Sequence, residues 1–329
     1  MKSIKPFVFI SIAPVVLLTA TFVLAVIPAA SQNAAFPQPS YAFKDDASGK
    51  ALTLLDGPLP ILTFRYGDNL KPGADPKYAR SGYIHPLFGP DGEILTEDFP
   101  ADHLHHHGLF WTWPIIRTRG VKTGTWEPAT PPLRQRFVRW IRREIKDGAA
   151  ALGVESVWRL DDREIVARET ADFIVHPAFA LGRLIDVSLT IEAVGGPLEF
   201  QGSQDAGKGY GGLCFRGAPQ FNDAALTTDK GPRNEDAVNT PFLWADLSTA
   251  ERGIAIFVST GHPDSPIPWL TRNSYAGILN PSWPGLKSAT VETGKSVTLR
   301  YRLYLHRGDA AAARVAETYA AYAALQPPR

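Results

Sequence analysis

A single cysteine, Cys214, stands in the 329 residues, so no disulfide can form within the chain and stability must come from a buried core. Charge of one sign is also missing: Lys+Arg number 34 against Asp+Glu 33. Such balance builds no field for nucleic acid or an acidic membrane face. Strand–helix–strand alternation does not occur, which disfavours a doubly wound parallel sheet. After residue 27 there is no apolar run long enough to span a bilayer. Internal repeats and convincing interdomain linkers are absent too.

The N-terminus is rich in what the rest lacks. Lys2 and Lys5 precede an uncharged apolar stretch from Phe7 to Ile27, closed by Ala29-Ala30-Ser31. A basic start, an apolar middle and a small-residue exit form the pattern of a secretory signal, with cleavage expected near Ala30 or Ser31. The apolar part is also long enough for an uncleaved anchor. Either reading puts the mature domain outside the cytoplasm, periplasmic or secreted. Residues 1–31 are therefore set apart as signal or anchor. Residues 32–43, uncharged and rich in Pro, Ser and Ala, read as a leader, and residues 44–329 as one domain.

Period-two alternation marks the strands. Ile185, Val187, Leu189, Ile191 and Ala193 alternate with polar residues, as do Val297, Leu299, Tyr301, Leu303 and Leu305. Shorter candidates lie at 51–55, 61–66, 154–160, 172–176, 242–247 and 253–258. Turn signals such as Asp56-Gly57-Pro58 and Gly195-Gly196-Pro197 separate them. One helix is expected near the C-terminus, with Asp309 as cap, Val315, Tyr319, Tyr322 and Leu325 on one face, and Pro327-Pro328 as the stop. The fold expected is mainly β: a large antiparallel β-sandwich with a C-terminal α-helix.

Chemistry concentrates in Asp102-His103-Leu104-His105-His106-His107. Imidazole binds transition metals when neutral and exchanges protons near neutral pH. On a strand, His103, His105 and His107 would share one face, which allows a divalent metal site. The same cluster allows a general acid–base histidine beside an orienting carboxylate. A histidine patch without a task is the plain alternative. The following Trp111 and Trp113 are expected in the core, although an exposed Trp also holds sugar rings. The glycine-rich stretch from Gln201 to Gly212 contains Asp205, Lys208 and Tyr210, with Arg216 beyond it. Its spacing is wrong for a phosphate loop, and it reads as a bent strand close to a ligand or a neighbour. A Pro- and aromatic-rich stretch carries His262, Arg272 and Tyr275 and has the chemistry of a pocket wall. Cys214 reads as a small buried side chain.

Three blocks resemble a bacterial family labelled PmoA, a domain of unknown function. They are Tyr83-Ile84-His85-Pro86-Leu87 with Asp91-Gly92-Glu93 and the histidine run through Trp111; Gly211-Gly212-Leu213 with Arg216; and His262-Pro263 through Trp269, Arg272, Tyr275 and Asn280-Pro281. Leu104 and His107 depart from the family's usual proline and arginine. The label refers to a multi-span membrane oxygenase subunit, whose topology this chain does not share. The resemblance implies a sandwich like the galactose mutarotases and a carbohydrate-like small molecule or glycan as partner. It implies an acid at His105 or His106 and a base or orienting carboxylate at Asp102 or Asp205. His103, His107, Lys208, Tyr210, Arg216, His262, Arg272 and Tyr275 would contact the substrate. A sugar hydrolase, lyase or epimerase, a non-catalytic glycan-binding sandwich and a metal-dependent enzyme all remain open.

Overall fold

The two runs with the cleanest alternation are neighbours. In the computed structural model, which describes residues 38–326, Gly182–Ala193 pairs antiparallel with Ser296–Arg307 and sets Ile185 against Leu303, Val187 against Tyr301 and Leu189 against Leu299. All six side chains are buried. Register follows from the pattern, because a slip of one residue would turn every apolar side chain outward.

These strands sit inside a nine-stranded antiparallel sheet. From one edge it runs through Gly231–Arg233, Ala225–Thr228, Trp244–Ser248, Arg252–Val258, Ser296–Arg307, Gly182–Ala193, Glu164–Val175 and Ala149–Leu160 to Leu133–Lys146. A second nine-stranded sheet runs through Tyr41–Asp46, Ala51–Asp56, Leu59–Arg65, Tyr83–Leu87, Leu109–Thr112, Gly212–Arg216, Ile278–Pro281 and Ile267–Arg272 to Val238–Phe242. Its first strand starts at Tyr41, inside the stretch expected to be leader. Aromatic side chains join the sheets face to face: Phe173 of the first lies 6.0 Å from Phe64 and 6.3 Å from Trp111 of the second, centroid to centroid. The fold is thus mainly β, an antiparallel sandwich, as expected. A four-stranded sheet of Ser288–Val291, Leu198–Gln201, Ile115–Thr118 and Val121–Thr123 completes the strands.

Trp111 and Trp113 are fully buried, and truncating either would cost about 3–5 kcal/mol. Cys214 is also buried, and burial pushes its thiol well above the usual range. The helix Val315–Ala324 lays Val315, Tyr319 and Tyr322 on Trp244, Phe257 and Tyr304. Tyr304 neighbours the core-facing Leu303, so the helix covers the sheet's outer side. Two expectations fail here. Leu325 is 77% exposed, because the helix ends before it. Asp309 accepts from the amides of Ala311 and Ala312, capping a separate turn that left-handed Arg314 divides from the helix. The calls on residues 1–31 lie outside the described residues.

Candidate functional site

The histidine run forms turns rather than a strand. The amide of His103 donates to the Pro100 carbonyl at 3.1 Å, and that of His106 to the His103 carbonyl at 2.9 Å. This three-residue spacing stacks the His103 and His106 rings, 4.7 Å apart and 8° from parallel. His105 meets both edge-on. His107 turns away among Tyr83, Phe99 and Phe110, with Nδ1 2.8 Å from Asp98 Oδ1. Burial lowers its pKa, although Asp98 opposes the shift. Gly108 ends the turn where a β-carbon would lie 2.4 Å from the Ile84 carbonyl, so only glycine lets the chain approach that strand.

Arg216, 4% exposed, organises the turn from beneath. Its Nη2 donates to Glu97 at 3.1 Å and to Asp102 Oδ1 at 3.1 Å. Its Nη1 lies 3.3 Å from His106 Nδ1. Guanidinium has no acceptor, so His106 Nδ1 must offer its lone pair and carry its proton on Nε2. Burial, reinforced by His105, His103 and Arg216, drives the His106 pKa down to about 2. His106 is therefore a neutral donor. Burial and the neighbouring imidazoles bring His105 to about 4.

The His103 pairing is different. Its Nδ1 lies 2.8 Å from Asp102 Oδ2. Burial acts to raise the Asp102 pKa, but its hydrogen bond to His103 and the Arg216 charge outweigh this and lower it. An ionised Asp102 accepts the His103 Nδ1–H and leaves the Nε2 lone pair open. Asp102 thus orients His103, not His105 or His106.

These rings line a hollow of about 520 Å³. Lys208, Tyr210, Arg272 and Tyr275, expected as substrate contacts, line it as well. Trp126 and Glu127 complete it and were not anticipated; Trp126 packs 4.5 Å from the Tyr210 ring, and Glu127 lies 3.8 Å from His105 Nε2. A lone Trp-Glu pair in a proline-bounded loop carries no sequence signal. Glu97 and Asp98 were also missed, although two carboxylates just before a histidine run were a legible hint.

Four expected residues play other parts. His262 is buried away from the hollow, with Nδ1 2.7 Å from the Pro263 carbonyl and Nε2 2.9 Å from the Tyr301 hydroxyl. Neither nitrogen is left for a substrate. His107 faces Asp98, and Arg216 is occupied by Glu97, Asp102 and His106. Asp205 accepts from Lys208 Nζ at 2.6 Å, apart from the imidazoles. The metal arrangement fails on geometry: His107 diverges from His103 and His105, and a guanidinium stands behind the cluster. Among the described residues no group of three or more His, Cys, Asp or Glu is placed to hold a metal ion.

No curated protein matches this chain. Solved structures similar to it include a galactose mutarotase related enzyme from Lactobacillus acidophilus, at 7% identity and TM-score 0.34, covering 81% of this chain and 97% of that one. Another is a candidate aldose 1-epimerase from Klebsiella pneumoniae, at 11% identity and TM-score 0.25, covering 84% of this chain and 82% of that one. A family of unknown function (DUF6807) matches residues 51–320, which take in the histidine turn, Arg216 and the whole hollow, and the chain belongs to that family.

Proposed function

We propose that this protein is an extracytoplasmic carbohydrate-active enzyme that moves a proton on a sugar or glycoside. One observation carries the reading: two stacked imidazoles have their Nδ1 atoms anchored by one Arg216–Asp102 network and line the same hollow. His103 takes a proton on Nε2 as general base. Asp102 holds its tautomer and steadies the imidazolium that forms, as the carboxylate of a catalytic triad does. Neutral His106 donates its Nε2–H to the oxygen on which negative charge develops, and Arg216 behind it strengthens that donor. Trp126, Tyr210 and Tyr275 supply flat apolar faces for the C–H side of a sugar ring. Lys208 and Arg272 reach its hydroxyls. The N-terminal signal pattern supports the extracytoplasmic part.

The test compares wild type with His103→Gln on a panel of free sugars and glycosides, followed by proton NMR in D₂O for anomeric exchange, deuterium uptake and product. Turnover by His103→Gln is expected to fall by about 10²-fold or more while binding persists. Equal turnover by the variant removes His103 from the chemistry. Wild type that binds sugars and converts none is a glycan-binding module.

A further inference from the structure

The hollow does not end at the histidines. The segment 124–129 stands as a ridge, and beyond it lies a second hollow of about 640 Å³. His105, Trp126 and Glu127 line both. Both hollows are open to solvent rather than enclosed, so a ring would lie against either wall. The ridge is fixed from below: Arg80 donates to the carbonyls of Thr125 at 2.6 Å and Trp111 at 2.9 Å. The Trp113 carbonyl accepts from the amides of Thr125 and Trp126. A β-carbon at position 124 would lie 2.3 Å from the Pro114 carbonyl, so the segment is seated tightly against its neighbour. A ridge held this way does not fold aside to merge the two hollows. A ligand that reaches both hollows passes the residues they share, His105, Trp126 and Glu127. The far hollow repeats the chemistry of the near one, with the half-buried Tyr78 ring and the Lys77 ammonium 5.1 Å from its centroid.

We infer that the site takes an oligosaccharide of at least two rings, one against His103 and His106 and the next beyond the ridge against Tyr78. This rests on the carbohydrate reading above and adds the length of the ligand. The junction between the rings then lies beside His105 and Glu127.

Titration calorimetry tests it with glucose, galactose, mannose and xylose, each as methyl glycoside and as α- and β-linked di- and trisaccharides. At least one series is expected to gain about tenfold in affinity from one ring to two, the size of one aromatic stacking contact. Tyr78→Ala, which removes the far ring, and Ala129→Trp, which obstructs the far hollow, should each abolish the gain and leave one-ring affinity unchanged. Ala129→Trp serves if Tyr78→Ala does not fold. Equal affinity for one and two rings, or a gain that survives both variants, overturns the two-ring ligand alone. Failure of every sugar to bind, whatever its length, overturns the carbohydrate reading with it.

Discussion

His306 and His103 are both imidazoles beside an aspartate, yet they have opposite surroundings. His306 is fully buried, with Nε2 2.6 Å from Asp246 Oδ2 and Nδ1 3.2 Å from the Gly308 carbonyl. His262 is satisfied at both nitrogens in the same way. His103 has one nitrogen fixed by Asp102, and the other has no partner among the described residues. Neutrality does not separate the two groups, because burial depresses His106 and His262 alike. What sets His103 apart from His262 and His306 is an open ring nitrogen on a residue that lines the hollow.

The largest test of that contrast is His306→Ala. It leaves the fully buried Asp246 carboxylate with Ser248 as its remaining side-chain donor. A loss of about 3–5 kcal/mol is expected in urea unfolding. His103→Gln should change stability by no more than about 0.5 kcal/mol while removing turnover. Similar stability losses for the two variants would erase the distinction.

Next comes acid. Burial sets the His262 pKa at about 4, below its ordinary value. Between about pH 6.5 and 4 the unfolded chain binds a proton there that the folded chain refuses. Stability therefore falls as pH falls, by about 1.4 kcal/mol per pH unit for this one group. His262→Gln should flatten the slope by that share, measured by unfolding at pH 7, 6 and 5. An unchanged slope would mean that His262 does not resist protonation.

The smallest effect belongs to Tyr275, 47% exposed on the wall of the hollow. Tyr275→Ala should stay within about 0.5 kcal/mol of wild-type stability and weaken sugar binding several-fold. A large stability loss would make it a packing residue.

Strand positions were legible where one face is dry and the other wet, as in the paired runs 185–193 and 297–305. Leu133–Lys146 escaped notice because it is an edge strand: arginines and two bulges, which discourage pairing with other chains, also break the alternation. The histidine run announced a site, but not its shape. A turn and a strand put different rings together, and nothing local chooses between them. The burial of Arg216 and the intrusion of Trp126 depend on contacts between distant segments, so no pattern within either segment encodes them. The family that matches is one of unknown function, without the methane-oxygenase label.

Arg216 lies 119 residues from Glu97 and 114 from Asp102 along the chain. Its own amide donates to the Gly108 carbonyl, and its carbonyl accepts from the Glu97 amide, so it is stitched to both ends of the turn. A nascent chain that has emerged only through the histidines holds the imidazoles without the cation that sets the His106 tautomer. Ligand affinity should then appear late in biogenesis, once a loop of about a hundred residues has closed and Gly212–Arg216 has docked beside Leu109–Thr112. Capture of a sugar would report completed long-range assembly rather than local order.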